Sequence, residues 1–324
     1  MTILHLAYSL ALAMAWLIAS GQAAAQGWPS RPIRWIVPFA PGGSADLISR
    51  AVAQKNSEGL GQQVVVDNRT GAGGAIGIDA VAKSAPDGHT IAIGAAGPIA
   101  IIVHMSRLPY DPVKDLTPVG KLAIVPIVIA ANPSQPFGNV RELISYAKAN
   151  PGRLSFGSAG TGSVQHLGGE LLKSVAAIDM VHVPYKGSGP AAADLAGGQI
   201  PLAVVDVTSA LPFVRAGRVR ALAVTGAART ITAPDIPTAA ESGLLGFDVE
   251  AWLGLFGPAG LPAEIIARLN AEVRRALQTT EVRERALSSG AEPAASSAEE
   301  FAKLVRTEHA KWGQVIRTAN LKPE

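Results

Sequence analysis

The 324-residue sequence contains no cysteine. This absence excludes disulfide bonds, thiolate metal sites, cysteine nucleophiles and a lipid-modified N-terminal cysteine. Charged residues are also scarce at 16%, and the net charge of +3 comes without a dense tract of lysine and arginine. Nucleic acid is therefore not an expected partner. Hydrophobic residues make up 48% of the chain, which predicts a well-packed globular protein long enough for two domains.

The N-terminus carries an apolar run, Leu10 to Ala19, followed by small residues at Ala23-Ala24-Ala25. This pattern predicts a cleaved signal peptide over 1–25, with a mature start near Gln26. The stretch before the run lacks Lys and Arg, and a transmembrane anchor is the alternative, for which the run is short. Because no cysteine can carry a lipid, the exported product would diffuse freely. We therefore infer a periplasmic location, where an outer membrane retains it.

After the signal, strand and helix patterns alternate, which predicts an α/β protein with largely parallel sheets. The predicted strands cover 33–37, 63–67, 89–95, 122–130, 154–158, 180–183, 201–205 and 219–225. The predicted helices cover 45–58, 74–84, 139–149, 163–176, 189–196 and 208–216. Past Val249 the pattern predicts mostly helix, at 262–278, 280–288 and 297–318, with start signals at Pro262 and Ser297.

The C-terminal helices have apolar faces that need a partner sheet. Packing against the first part of the chain would make domain 1 discontinuous, formed by 26–124 and 226–324, with domain 2 at 125–225. The chain would then cross twice between two α/β lobes, which predicts a hinge.

The segment 31–50 is the most informative part of the sequence. A hydrophobic strand, Ile33 to Val37, leads through Pro38 into the turn Pro41-Gly42-Gly43-Ser44, and a helix follows. Such a turn leaves the first backbone N–H groups of the helix unpaired, which makes a seat for phosphate or carboxylate. Asp46 is expected to cap or brace this first loop.

Two further glycine-rich loops resemble nucleotide motifs but lack essential residues. The second loop, 68–77, has Ile76 where the third glycine of a dinucleotide fingerprint is required, so we interpret it as a tight turn. The third loop, 157–163, has Ser163 where a P-loop requires lysine, which excludes an NTPase. Its small residues and helix start still predict ligand binding.

The sequence shows no catalytic set. No nucleophile elbow surrounds Ser44, Ser163 or Ser188, and the six histidines lack metal-ligand spacing. His166, one turn into the helix after the third loop, is expected either to contact the pocket or to brace the loop. Asp206 follows an apolar strand and faces the expected cleft. An exported enzyme that uses Asp206 and His166 as bases is the alternative from another class.

An ordered series of motifs resembles one family, the Bug-type extracytoplasmic solute-binding proteins of the tripartite tricarboxylate transporters. The series covers essentially the whole mature chain and consists of Trp28-Pro29-Ser30-Arg31-Pro32-Ile33, Val37 to Asp46, Asn68 to Gly74, Ala85 to Gly88, Leu108 to Pro112, the third loop to Leu167, Val181 to Gly187, Arg220 to Thr225 and Pro234 to Thr238. The departures are His89, where tyrosine is usual, and Val207, where a polar residue is common.

The resemblance implies a two-lobed periplasmic binding protein, a Venus flytrap with a cleft between two α/β domains. It implies a non-enzymatic receptor that holds a small organic carboxylate, with ordered water, and delivers it to the membrane components of a tripartite tricarboxylate transporter. We expect a monomer, with no cofactor and no metal. A periplasmic sensor that feeds a signalling partner is the alternative. Dicarboxylates, amino acids, hydroxy acids and aromatic acids all remain open as ligands, and Trp252 and Phe39 are candidates to line the pocket.

The predicted ligand-binding residues combine the loops with strand ends and nearby side chains. They are Phe39, Ala40, Gly42, Gly43, Ser44, Asp46, Ala96, Ser158, Ala159, Gly160, Thr161, Gly162, Ser163, His166, Tyr185 and Asp206.

Overall fold

The computed structural model describes residues 27–321, so the predicted signal peptide lies outside the described residues. The strands are β1 (Ile33–Val37), β2 (Val64–Asn68), β3 (Thr90–Ala95), β4 (Leu116–Val125), β5 (Ile127–Ala131), β6 (Leu154–Ser158), β7 (Met180–Pro184), β8 (Leu202–Asp206), β9 (Arg220–Val224), β10 (Ala251–Pro258) and β11 (Glu292–Pro293). The helices are α1 (Ser44–Leu60), α2 (Ala75–Ala82), α3 (Val140–Ala149), α4 (Val164–Ala176), α5 (Ser188–Ala196), α6 (Val207–Arg215), α7 (Ala263–Gln278), α8 (Thr280–Ser288) and α9 (Ala298–Thr318).

The strands form two sheets, one in each lobe of a two-lobed α/β protein. The first sheet has the order β11-β4-β10-β3-β1-β2, and the second has the order β7-β6-β8-β5-β9. The first sheet takes strands from both ends of the described chain, whereas the second takes every strand between 127 and 224.

The sheets are mixed, which corrects the prediction of largely parallel pairing. Strand β1 is parallel to β2 and β3, and β6 is parallel to β7 and β8. Strand β10 is antiparallel to both β3 and β4, and β5 is antiparallel to both β8 and β9. The antiparallel strands are those where the chain enters or re-enters a sheet from the other lobe, without the crossover helix that parallel pairing needs.

The predicted strand 122–130 is wrong as a single element. Pro126 divides it into β4, which belongs to the first sheet, and β5, which pairs with Asp206 and its neighbours in the second. Proline has no N–H to donate to a ladder, so the break falls where the chain leaves one sheet for the other.

The prediction of mostly helix past Val249 missed β10, which lies between β3 and β4 in the first sheet. Its residues from Trp252 to Pro258 are all buried. A strand covered on both faces has no polar alternation to reveal it. A side chain at Gly254 would overlap the ring of Phe301, so glycine lets α9 approach the strand closely.

The C-terminal helices pack as their apolar faces predict. Helices α7 and α9 both contact β4, and α9 also contacts α4 in the second lobe. Ser297 and Glu300 form a capping box at the start of α9, with the Ser297 hydroxyl accepting from the Glu300 N–H at 3.1 Å.

The two chain crossings between the lobes lie side by side. The backbone N–H of Thr225 donates to the carbonyl of Ile127 at 3.0 Å, and the N–H of Val249 donates to the carbonyl of Thr225 at 2.9 Å. The Thr225 hydroxyl also donates to the Val249 carbonyl at 2.7 Å. Hydrogen bonds therefore join the two crossings.

Candidate functional site

A cavity of about 370 Å³ lies between the two lobes and receives residues from both. Its lining comes from the first loop, the ends of β3, β4 and β8, the start of α4 and the start of β10, and consists of Phe39, Gly43, Ser44, Ala45, Ala95, Ala96, Gly97, Val125, Val164, Gln165, Asp206, Ala251, Trp252 and Leu253. Strand ends and helix starts of two α/β lobes therefore meet at one place, where ligands of such folds usually bind.

The first lobe contributes the start of α1. Ser44 and Ala45 are the first two residues of this helix and both line the cavity. The first N–H groups of a helix have no acceptor within it, and they carry the positive end of the helix dipole. The Ser44 hydroxyl donates to the carbonyl of Ser289 at 2.5 Å, which ties the helix start to the segment before β11.

Asp46 braces the first loop and is absent from the cavity lining. Its buried carboxylate accepts hydrogen bonds from the Gly42 N–H at 3.0 Å, from Arg50 Nε at 3.0 Å and from Asn68 Nδ2 at 2.9 Å. Burial opposes ionisation, but these hydrogen bonds outweigh it and lower the pKa of Asp46. The bond to Gly42 holds the loop in the shape that presents Gly43 and Ser44.

The second glycine-rich loop packs behind Phe39. A Cβ atom at Gly74 would lie 3.5 Å from Phe39 Cε1, and a Cβ atom at Gly77 would lie only 2.8 Å from Pro38 Cβ. Gly74 also has a positive φ of 101°. This loop is a tight turn with close helix packing, as the sequence indicates, and it fixes Phe39 against the cavity.

The second lobe contributes the start of α4. Val164 and Gln165 are the first two residues of this helix and both line the cavity. Ser163 caps the helix: its hydroxyl accepts from the His166 N–H at 3.1 Å and donates to the Gly160 carbonyl at 2.6 Å. Two helix starts, one from each lobe, thus line the same cavity.

Two backbone N–H groups of the third loop bond to nearby side chains. The Gly160 N–H donates to the Ser158 hydroxyl at 3.1 Å, and the Gly162 N–H donates to His166 Nδ1 at 3.2 Å. Thr161 and Gly162 line a different groove of about 670 Å³, together with residues 105–109 of the first lobe. The loop therefore acts on the cavity through the helix that it starts.

His166 lies beneath the third loop and outside the cavity lining. Its ring is buried and stacks on that of His182, with centroids 3.8 Å apart. Burial, with smaller effects of His182 and Lys173, lowers the pKa of His166 to about 3. The ring is therefore neutral near pH 7, and its Nδ1 is the acceptor that holds Gly162.

Tyr185 also lies outside the lining. Its hydroxyl donates to Asp194 Oδ2 at 2.9 Å, and burial together with this bond raises the pKa of Tyr185 to about 12. Its ring fills the space next to Gly157, where a Cβ atom would lie 3.2 Å from Tyr185 Cε2. Tyr185 supports the floor of the third loop.

Asp206 ends β8, precedes α6 and is one of the residues that line the cavity. The side chain makes no capping bond to its own helix. Asp206 Oδ1 instead accepts from Gln165 Nε2 at 2.5 Å, and the Asp206 backbone N–H donates to the Ser188 hydroxyl at 3.2 Å. Burial raises the pKa of Asp206, against hydrogen bonds from Gln165 and Ser188 that lower it.

Of the predicted ligand-binding residues, the cavity brings together Phe39, Gly43, Ser44, Ala96 and Asp206. The other predicted residues do not line this cavity: some support the loops beside it, and others face elsewhere. They are Ala40, Gly42, Asp46, Ser158, Ala159, Gly160, Thr161, Gly162, Ser163, His166 and Tyr185. Trp252 lines the cavity, as the sequence allows. Sequence reasoning missed the other lining residues, namely Ala45, Ala95, Gly97, Val125, Val164, Gln165, Ala251 and Leu253. Ala251 and Leu253 were missed because strand β10 was not predicted.

The chain matches the model of the tripartite tricarboxylate transporter family receptor over residues 48–321. It is also 39% identical to Protein BugT of Bordetella pertussis, over 92% of each chain. The chain belongs to this receptor family. The resemblance inferred from the ordered motifs is thereby confirmed.

Solved structures of similar proteins support the same fold for this tripartite tricarboxylate receptor. An R. palustris protein with adipate is 37% identical, with a TM-score of 0.75 over 92% of this chain and 100% of its own. MatC from Rhodopseudomonas palustris, with bound malate, is 37% identical, with a TM-score of 0.71 over 89% and 100%. The predicted two-lobed solute-binding fold is confirmed. Within residues 27–321, no helix has the length and apolar character needed to cross a membrane.

Proposed function

We propose that this receptor captures a small organic carboxylate in the cavity between its lobes and delivers it to the membrane components of a tripartite tricarboxylate transporter. The observation that carries the proposal is the convergence of two helix starts, Ser44-Ala45 and Val164-Gln165, on one cavity. Helix N-termini bind anions through free N–H groups and the helix dipole. A carboxylate has two oxygens, so each lobe can hold one.

Closure of the lobes strengthens the binding of the carboxylate by the two helix starts. We propose that 26–124 with 226–324 form one lobe and 125–225 the other, and that they rotate about the paired crossings at Ile127 and Thr225. Closure excludes water, and charge-assisted N–H···O⁻ bonds then contribute roughly 1.5–3 kcal/mol each. The starts of α1 and α4 supply the two half-sites, and the loops that precede them are braced by Asp46 and His166.

The proposed role is binding without catalysis. Asp206 is engaged by Gln165, and His166 is buried beneath the third loop with its Nδ1 occupied by Gly162. This arrangement disfavours the alternative in which the two residues act together as bases. The adipate and malate bound by related proteins are consistent with a carboxylate, and we propose a periplasmic location for the mature chain after removal of 1–25.

A thermal-shift screen of a carboxylate library against the mature chain tests this function. A true ligand at 100-fold its Kd should stabilise the protein by roughly 2.7 kcal/mol. Ligand recovered chemically unchanged after incubation supports a receptor, whereas turnover would show an enzyme. Absence of stabilisation by every carboxylate of the library would overturn the proposal.

A further inference from the structure

A short segment between α8 and β11, residues 289–292, lies beside the ligand cavity and is here called the strap. The carbonyl of Ser289 accepts a hydrogen bond from the Ser44 hydroxyl at 2.5 Å. Ser44 is the first residue of α1 and lines the cavity. The strap is therefore attached to one of the two helix starts that we propose as carboxylate half-sites.

The shape of the strap is fixed at both of its ends by the first lobe. Gly290 has a φ of 84°, a left-handed conformation that favours glycine. The N–H groups of Gly290 and Ala291 donate to carbonyls of the last turn of α8, at 3.1 Å and 2.9 Å. Bonds of this kind close the end of a helix. At its other end the strap enters β11, where Glu292 lies opposite Ile124 of β4.

The strap also touches the second lobe. A Cβ atom at Gly290 would lie 2.8 Å from Thr208 Oγ1 and 2.9 Å from Thr208 Cγ2. Thr208 is the second residue of α6, which begins directly after Asp206 of the cavity lining. Because no side chain fits between them, the backbone of Gly290 packs directly against α6. The strap thus joins α1 of the first lobe to α6 of the second.

Glu292 anchors the strap to the chain beside the hinge. Its buried carboxylate accepts hydrogen bonds at Oε1 from the Thr230 hydroxyl, from the Thr232 hydroxyl at 3.3 Å and from the Thr232 N–H at 3.2 Å. Both threonines follow closely after Thr225, where the chain crosses between the lobes. These donors are all neutral, so the carboxylate loses hydration without gaining an opposite charge. A buried polar group of this kind can be retained because it specifies one arrangement of the chain.

We propose that Glu292 is a positioning residue for ligand binding, because its anchored strap holds the two lobes in the arrangement in which both helix starts line one cavity. This inference rests on the proposed function, in which the lobes rotate about the paired crossings. Rotation would separate Gly290 from Thr208 and strain the bonds between Glu292 and the two threonines. Loss of the anchor should therefore let the lobes adopt other separations.

The distance between the lobes tests this inference on the mature chain, with no ligand added. Because the native sequence has no cysteine, Gln54→Cys on α1 and Lys148→Cys on α3 supply the two attachment points for nitroxide spin labels. Both native residues are exposed, and each lies on a different lobe. Pulsed electron–electron double resonance then measures the distribution of distances between the labels. We expect Glu292→Ala to displace or broaden this distribution relative to the labelled parent. An unchanged distribution would overturn the inference.

Three further variants separate the anchor from a general loss of stability. Glu292→Gln keeps an oxygen that can accept from both threonines, so its distribution should match that of the parent. A change equal to that of Glu292→Ala would overturn the hydrogen-bonded anchor. Glu284→Ala is the matched control, because it removes an exposed carboxylate of α8 and should leave the distribution unchanged. Thr230→Val removes a donor hydroxyl and should change the distribution in the same way as Glu292→Ala, which keeps the test decisive if Glu292→Ala does not fold. A parent-like distribution in Thr230→Val would count against the anchor.

The failure of this inference differs from the failure of the proposed function. Unchanged lobe distances in Glu292→Ala and Thr230→Val would remove the role of the strap and leave the carboxylate receptor, which the library screen tests by itself. A negative library screen together with changed lobe distances would remove the carboxylate receptor and keep the strap.

Discussion

Gln165 Nε2 donates a hydrogen bond to Asp206 Oδ1 at 2.5 Å, which joins the start of α4 to the end of β8. Both residues line the ligand cavity. The bond links the helix start that we propose as an anion-binding site to Asp206. Among the described residues, Asp206 is the only lining residue with an ionisable side chain. The pair thus defines the polar wall that the second lobe presents to the ligand.

Ligand affinity should depend on pH through Asp206. Burial raises the pKa of this group, and its facing partners Gln165 and Ser188 do not titrate, while His166 on α4 is neutral down to about pH 3. The ionised carboxylate of Asp206 would repel a carboxylate ligand in the same cavity, so affinity should rise as the pH drops through the raised pKa and this charge is removed. Titration calorimetry from neutral pH down toward the ordinary aspartate pKa of about 3.9 measures this trend. Affinity that falls on acidification would contradict a charge repulsion between Asp206 and the ligand.

Buried neutral His166 should make the fold sensitive to acid. Its pKa falls from 6.5 to about 3 in the folded protein, so below pH 6.5 the unfolded chain takes up the proton first. Its contribution to stability is therefore complete above pH 6.5 and declines as pH falls toward about 3, by up to about 1.4 kcal/mol per pH unit.

The variant His166→Asn keeps an acceptor for the Gly162 N–H and removes the titrating ring. Urea unfolding at several pH values should show a shallower loss of stability in this variant between pH 6.5 and about 3 than in the native protein. Identical slopes in the two proteins would contradict a neutral buried ring.

Gly254→Ala should destabilise the first lobe. The added methyl group would overlap the ring of Phe301, which packs α9 onto β10, and such overpacking costs about 1–3 kcal/mol. Gly189→Ala is the control, because it adds the same group in open space on α5 and should cause no loss. Equal stabilities of the two variants in urea unfolding would contradict the central position of β10.

Local sequence signals predicted the parts of the site that depend on neighbouring residues. The turn Pro41 to Ser44 identified the start of α1 within one residue, and the bracing role of Asp46 follows from its place in the first turn. In contrast, the bond from Gln165 to Asp206 joins residues 41 positions apart. Such a contact exists only after β8 and α4 have packed together, so no spacing rule could reveal it.

The other two differences between the predicted and the observed elements are the break at Pro126 and the unpredicted strand β10. The sequence between 116 and 131 is apolar on both sides of Pro126, and the one-residue break decides which sheet each half joins. Strand β10 has no alternation because the first sheet buries both of its faces. Residues 251–253 line the cavity through this strand, so the missed element also hid one wall of the site.

Calorimetric titration of the best carboxylate from the library into Gly43→Leu tests whether the start of α1 holds the ligand carboxylate. A Cβ atom at Gly43 would meet only the Ala40 carbonyl at 3.8 Å, so the fold should tolerate the change while the side chain fills the cavity at the start of α1. Gly189→Leu, also in open space, is the matched control. We predict that Gly43→Leu weakens binding by at least about 100-fold with an unchanged Tm, and that Gly189→Leu binds like the native protein. A native Kd in Gly43→Leu would contradict the placement of the carboxylate at this helix start.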